Sequence, residues 1–181
     1  TLGSVSVICT DKTGPLTEGN MSVVRVMTAS AVLTQSQFSL LHDNTDATLL
    51  TTIGIRCNNA LEKKDTQTGV IQYVGDTTET ALLKLADASG IVRMDVDATG
   101  ERIQEMPFSS DTKYMATVHR TTEGNVLSVK GAPEVVLEKS SAYVKKRKKI
   151  HMTEKQKKLF FEEASRNASL GYRTLSLAYA P

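Results

Sequence analysis

One carboxylate stands where a β-branched run meets a turn. The run 5–10 (Val-Ser-Val-Ile-Cys-Thr) leads directly into Asp11, and Lys12-Thr13-Gly14 follow. Such a run predicts a buried strand of an open parallel sheet, and an Asp at its carboxyl end is placed to attack a phosphoryl group. Thr13 can hold a phosphate oxygen but cannot activate water as a second acid would. We therefore expect a long-lived aspartyl phosphate rather than rapid hydrolysis.

The elements after this segment predict a different architecture. Alternating apolar patterns predict strands at 21–27, 37–41, 70–74, 102–108, 114–120, 126–130 and 174–179. Helices are predicted to start at Asn44 or Asp46, at Thr77 or Thr78, at Pro133, and at Thr153, whose partner Gln156 completes a capping box. Hairpin-like neighbours dominate this order, so we expect an α/β (α+β) fold, mainly an antiparallel sheet flanked by helices.

Bulk composition excludes several classes of protein. The 181 residues are 40% hydrophobic and 23% charged, and the formal net charge is +2. These values are ordinary for a globular domain and do not indicate nucleic-acid binding. No run reaches the roughly 18 to 20 apolar residues of a membrane span. Because the sequence starts at Thr1 and enters a core-like strand at once, we expect a piece of a longer chain.

Five ordered segments carry a resemblance to a known family. The first, Asp11–Thr17, resembles the phosphorylation motif of P-type cation-transporting ATPases, and the other four resemble the nucleotide-binding domain of that family. These four are Gly75–Leu82 (GDTTETAL), Phe108–Lys113 (FSSDTK), Lys130–Glu134 (KGAPE) and Arg173–Leu175 (RTL). The amino-acid sequences of these motifs are more similar to the calcium and sodium/proton pump branches than to the heavy-metal branch. Each segment is weak alone, but the ordered set is specific.

The resemblance implies two domains. Residues 1–20 would be the first strand and motif of a Rossmann-like phosphorylation domain of the haloacid dehalogenase type, left incomplete. Residues 21–181 would be the nucleotide-binding domain with its hinge strands. The partners implied are the remaining phosphorylation, actuator and membrane domains of a parent pump, which places this region in the cytoplasm.

The resemblance also implies an adenine pocket. Phe108 would stack on the base, and Glu79 would accept a hydrogen bond from the adenine amine. Lys113 and Lys130 would line the pocket, with Lys130 deepest, and Gly131 would let the backbone approach the base.

Phosphate and metal contacts are implied in the same way. Arg173 would reach the phosphates of ATP. Asp11 would accept the phosphoryl group within the catalytic segment that includes Lys12, and Asp11 and Thr13 would contribute to an incomplete Mg²⁺ site. Position 15 is Pro where the family usually has Thr, which removes an N–H beside the phosphate.

The later catalytic motifs of the family are missing from this sequence. Neither the Thr-Gly-Asp segment nor the Gly-Asp-Gly-x-Asn-Asp segment that completes the Mg²⁺ site follows residue 17. Phosphoryl transfer needs metal and positive charge around the developing oxyanions. We therefore expect a monomer that binds adenine nucleotide without phosphorylating itself. The transported cation is not encoded here.

Two other functions remain open from the residues. A phosphatase of the haloacid dehalogenase type shares the first strand, although Thr13 argues against it. The run Lys145–Lys149 (KKRKK) is the one feature that is compatible with a nucleic-acid or anionic-lipid module, but a solvated loop that enters a charged helix is the favoured interpretation. Phe108 also has a simpler interpretation, as a core residue at the end of a strand.

Overall fold

A computed structural model describes residues 21–181, and short strands alternate with helices throughout that range. The elements in chain order are β1 (Arg25–Met27), β2 (Val32–Thr34), a 3-10 helix (Gln35–Asp43), α1 (Thr45–Arg56), β3 (Leu61–Lys64), β4 (Ile71–Val74), α2 (Thr77–Ala88), α3 (Arg93–Ala98), β5 (Gly100–Met106), β6 (Tyr114–Thr121), β7 (Gly124–Gly131), α4 (Pro133–Lys139), β8 (Ala142–Lys145), β9 (Lys148–His151), α5 (Glu154–Ser169) and β10 (Ser176–Ala180). This is the expected α+β arrangement. The predicted first strand, with Asp11, Lys12, Thr13 and Pro15, lies outside the described residues.

Within residues 21–181, the central sheet has four antiparallel strands in the order β10-β7-β6-β5, and three two-stranded antiparallel sheets accompany it. Strand β6 alternates between buried and partly exposed residues, with Met115, Thr117 and His119 on the buried side. Helix α1 packs against β7 and β10. The alternation of buried and partly exposed side chains along β6 thus indicates a sheet with one face covered by helices.

A buried apolar cluster joins the β1–β2 hairpin to the 3-10 helix, α1 and α2. It contains Val26 of β1, Phe38 and Leu41 of the 3-10 helix, Ala47 of α1 and Leu85 of α2. The strand predicted at 37–41 is wrong, because this stretch is the 3-10 helix. Phe38 and Leu41 are three residues apart, a spacing that puts both on one face of a 3-10 helix.

Most helix starts agree with the sequence. The Asn44 side chain accepts from the backbone N–H groups of Asp46 and Ala47, and Pro133 opens α4. The capping box of Thr153 and Gln156 is present. One cap prediction is wrong: Asp76, not Thr77 or Thr78, caps α2.

The lysine-rich run forms a hairpin instead of the expected loop. Strands β8 and β9 pair around Lys146 and Arg147, whose φ angles are 50° and 63°. Asp46, which is 5% exposed, accepts from the backbone N–H groups of these two residues at 2.7 and 3.0 Å. A buried carboxylate therefore holds a left-handed turn that the sequence pattern did not predict.

Among residues 21–181, no helix combines the length and apolar character needed to cross a membrane.

Candidate functional site

The residues of the implied pocket lie at or next to one end of the central sheet, where β5 and β7 finish and β6 and β10 begin. Tyr114 and Ser176 both pair with Gly131, and Met106 pairs with Ala116, two residues inside β6. This end of the sheet therefore receives the connection 107–113, the end of β7 and the segment 170–175 that leads into β10. Phe108, Lys113, Lys130, Gly131 and Arg173 all lie on these three segments.

The connection 107–113 is folded on itself and presents an aromatic ring. The Lys113 backbone N–H donates to the Ser109 carbonyl at 2.8 Å, and the Lys113 carbonyl accepts from the Ala132 N–H at 3.0 Å. Lys113 has a φ of 58°, which turns the chain sharply into β6. Phe108 is 57% exposed, and β5 ends two residues before it. The ring is therefore not part of the core, and its surface is available to a planar ligand.

At the same end of the sheet, where β7 ends, Glu79 and Lys130 form a largely buried ion pair, called here the pocket floor. The Lys130 ammonium contacts Glu79 Oε1, and the two side chains are 8% and 13% exposed. Lys130 projects from the covered face of β7, opposite Met115 of β6. Glu79 lies in the first turn of α2, where an acidic side chain also complements the helix dipole. A carboxylate has about four lone-pair sites, so Glu79 keeps acceptor capacity beyond this pair.

Gly131 is required by its neighbours in the sheet. A Cβ at this position would lie 2.5 Å from Tyr114 Cβ and 2.6 Å from the Lys113 carbonyl oxygen. Such distances are too short for real side chains, so a larger residue would push the end of β7 away from the 107–113 connection. The observed reason for this glycine is thus the contact between two strands, and a close approach to a base stays a prediction.

The pocket rim is defined here as Phe108, Lys113 and Arg173, which are all exposed. Lys113 Nζ lies 3.4 Å from Glu134 Oε1, and these side chains are 54% and 48% exposed. Arg173 follows the turn at Gly171, whose φ of 86° ends the α5 segment. The floor therefore supplies a buried acceptor and a buried cation, whereas the rim supplies an aromatic surface and two exposed cations.

Cys57 lies next to the floor, but its thiol is expected to be unreactive. Its side chain is fully buried and its Sγ donates to the Met115 carbonyl at 3.4 Å. Burial raises the pKa of the Cys57 thiol, although nearby Lys130 acts in the opposite direction. A protonated, buried thiol packs as a small apolar group and is a poor nucleophile.

A cleft of about 370 Å³ lies toward the other end of β5, and Asn59, Arg93, Arg102 and His119 contribute to its walls. Burial, with Arg102 and Arg56 nearby, lowers the pKa of His119. His119 is 3% exposed, and its Nδ1 atom has no hydrogen-bond partner among the described residues. Arg102 and Arg93 donate instead to backbone, carboxylate and amide oxygens of the protein, so the cleft offers few free donors.

The catalytic segment cannot be placed, because Asp11, Lys12 and Thr13 lie outside the described residues. Residues 21–181 contain no group of three or more His, Cys, Asp or Glu side chains arranged to hold a metal ion. The Mg²⁺ ligands implied by the resemblance therefore stay a prediction.

Sequence reasoning missed four residues that support the floor. They are Asn58, Asn59, Arg102 and Glu105. The hydrogen bonds that join Asn58 and Asn59 to Glu79, Arg102 and Glu105 link positions 20 to 46 residues apart, so no local pattern could have revealed them. The only signal was a pair of asparagines after a helix, which is also typical of ordinary turns.

The fold and the candidate site define an α/β domain whose antiparallel sheet has Phe108, the Glu79–Lys130 pair and Arg173 at or next to one end. Residues 46–181 match the family model described as P-type ATPase, cytoplasmic domain N. The chain therefore belongs to the P-type cation-transporting ATPase family.

Several curated relatives are pumps of this family. The chain is 34% identical over 189 residues to a sodium/potassium-transporting ATPase subunit alpha of Drosophila melanogaster, covering 97% of this chain and 18% of the relative. It is 35% identical over 179 residues to calcium-transporting ATPase 1 of Bacillus cereus, covering 98% and 19%. It is 32% identical over 200 residues to calcium-transporting ATPase type 2C member 1 of Mus musculus, covering 100% and 21%. The chain thus spans about a fifth of the length of these relatives.

Proposed function

We propose that residues 21–181 form the nucleotide-binding domain of a cation pump and bind ATP through its adenine base. In this proposal Phe108 stacks on the base, and Glu79 accepts from the adenine amine. Lys130 and Lys113 line the pocket, and Arg173 contacts the phosphates. The observation that carries the proposal is the exposed Phe108 ring at the same end of the sheet as the buried Glu79–Lys130 pair.

The proposal extends to the parent protein. Residues 1–20 belong to the phosphorylation domain, and the bound ATP delivers its γ-phosphate to Asp11 to drive cation transport. Asp11 and Thr13 would take part in holding Mg²⁺, and the rest of that domain would supply further ligands. Mg²⁺ would neutralise charge on the transferred phosphoryl group. The family membership supports this role, since the matched relatives are named as sodium/potassium and calcium pumps.

The pocket geometry predicts modest affinity and little dependence on the number of phosphates. Stacking and a few hydrogen bonds at an open site suggest a dissociation constant on the order of 0.1 to 1 mM. Because the recognised group is the base, ADP and AMP should bind nearly as well as ATP. A preference for ATP by orders of magnitude would show that phosphate contacts dominate instead.

Isothermal titration calorimetry on the 181-residue chain tests the proposal. ATP should bind, Phe108→Ala should weaken it, and moderate salt should change it little. Strong, salt-dependent binding to DNA or anionic vesicles, without ATP binding, would replace the proposal by a basic-surface function. Release of phosphate from a generic phosphomonoester would favour the phosphatase alternative.

A further inference from the structure

The Glu79 carboxylate is held from two sides. Its Oε1 atom contacts Lys130, and its Oε2 atom accepts from the backbone N–H of Asn59 at 3.2 Å. The Asn58 side chain also donates to the Glu79 backbone carbonyl at 3.0 Å. Both the backbone and the side chain of Glu79 are therefore fixed by the two residues that follow α1 and Cys57.

Arg102 holds this pair of asparagines in place. Its Nη1 atom donates to Asn59 Oδ1 at 2.6 Å, and its Nη2 atom donates to the carbonyls of Arg56 and Asn58 at 2.8 and 2.7 Å. The rigid guanidinium thus links the last carbonyls of the α1 region to the Asn59 side chain. A lysine has one ammonium centre and cannot reproduce this fork.

Glu105 closes the arrangement from the same strand. It accepts from Asn59 Nδ2 at 2.7 Å and from Arg102 Nη1 at 3.2 Å. The Asn59 side chain therefore has both its donor and its acceptor engaged. Its backbone N–H is left pointing at Glu79.

A β-bulge explains how one strand supplies both Arg102 and Glu105. Arg102 pairs with His119 and Gln104 pairs with Val118, so Ile103 is an extra residue in β5. Without the bulge, residues 102 and 105 would project from opposite faces. The extra residue instead puts both on the face that His119 and Thr117 share, toward the end of α1.

We propose that Arg102 is a positioning residue for base selection: through Asn59 it fixes the Glu79 carboxylate so that the pocket prefers a base with an exocyclic amine over one with an oxo group. The inference rests on the proposed function. Arg102 itself does not contact the nucleotide. A fixed carboxylate accepts from the amine of adenine and faces the lone pairs of a 6-oxo base, whereas a carboxylate free to rotate tolerates both.

The test compares AMP with inosine monophosphate, which carries an oxo group in place of the adenine amine. In the unaltered chain, AMP should bind on the order of tenfold more tightly. Arg102→Met keeps the length of the side chain but removes the fork, and Asn59→Ala removes the exposed side chain that Arg102 holds. Both variants should reduce the ratio of the two dissociation constants, inosine monophosphate over AMP, to about two or less.

Arg120→Met is the matched control. Arg120 lies on β6 and is largely exposed, and its Nη1 atom is 3.6 Å from Glu101 Oε2. It has no link to Asn59, so its loss should leave the AMP preference unchanged. Circular dichroism melting shows whether each variant is folded, and Asn59→Ala decides the matter if Arg102→Met unfolds.

The outcomes separate this inference from the proposed function. If AMP binds and Phe108→Ala weakens it, but the Arg102 and Asn59 variants keep the original preference, the positioning role is wrong and the pocket stands. Equal binding of AMP and inosine monophosphate by the unaltered chain also overturns the inference. If neither nucleotide binds, the proposed function itself is wrong.

Discussion

The pocket floor and the pocket rim use similar residue types in opposite ways. In the floor, Lys130 and Glu79 are 8% and 13% exposed, whereas Lys113 and Glu134 at the rim are 54% and 48% exposed. Loss of one partner in the floor leaves a desolvated charge, while loss of one partner at the rim returns the other to water. The floor should therefore govern stability and orientation, and the rim should govern affinity with little effect on folding.

The largest expected effect separates the two lysines. Lys130→Met leaves Glu79 unpaired and should lower the free energy of unfolding by about 3 kcal/mol. Lys113→Met should lower it by less than about 1 kcal/mol, because water screens the exposed pair. Urea denaturation of both variants measures the difference. Equal losses would show that burial does not distinguish the floor from the rim.

In contrast to Lys130→Met, Phe108→Ala should weaken nucleotide binding with little effect on folding. Removal of a stacked ring costs about 1 to 3 kcal/mol, or roughly 5- to 150-fold in the dissociation constant for AMP. The free energy of unfolding should change by about 0.5 kcal/mol or less, since the ring is 57% exposed.

Phe161→Ala is the control for this variant. Phe161 is 45% exposed and lies on α5, which is not one of the three segments that carry the rim residues. Its loss should leave AMP binding unchanged. A matching loss of affinity in both variants would mean that the ring at position 108 has no special role.

Gly131→Ala tests how closely the floor and the rim are joined. The new Cβ would meet Tyr114 Cβ at 2.5 Å, so the variant should lose about 1 to 3 kcal/mol of stability. Gly54→Ala in α1 is a control of opposite sign, because its Cβ would meet Leu177 and Leu82 at ordinary distances of 3.5 to 3.6 Å. That helical change should be neutral or add up to about 1 kcal/mol. Thermal unfolding of the two variants decides the point.

The smallest expected effect concerns the phosphate contacts of the rim. Arg173→Gln should weaken ATP by about threefold and leave AMP almost unchanged, because an exposed cation contributes about 1 kcal/mol or less. The same calorimetric titration, run with both nucleotides, measures this ratio. An equal loss for AMP would place Arg173 against the part that both nucleotides share, the adenosine and the α-phosphate, rather than against the β- and γ-phosphates.

The rim was easier to predict from sequence than the floor's support. Phe108, Lys113 and Arg173 follow or precede strands whose apolar alternation is local, and the motif resemblance pointed to all three. The strand predicted at 102–108 has the right length but is shifted by two residues, because the observed strand is Gly100–Met106 and the apolar pattern continues into the connection. The bulge at Ile103 left no signature in the alternation, so the shared face of Arg102 and Glu105 was invisible.

Tertiary contacts also explain why the structures of two other segments differ from the prediction. The stretch 37–41 alternates like a strand, but burial of Phe38 and Leu41 against α1 and α2 favours the 3-10 helix. The lysine run reads as a solvated loop, yet Asp46, 100 residues earlier, supplies the acceptor that holds its turn. Local propensity is weak where a distant group provides the deciding hydrogen bond.

A titration of the ¹⁵N-labelled chain with AMP, followed by amide chemical shifts, tests the central claim most directly. Shifts should concentrate in 77–80, 107–113, 130–132 and 170–175, at one end of the central sheet, and Phe108→Ala should suppress them. Shifts confined to the β8–β9 hairpin, to the cleft near His119, or absent at millimolar AMP would contradict an adenine pocket built from this floor and rim.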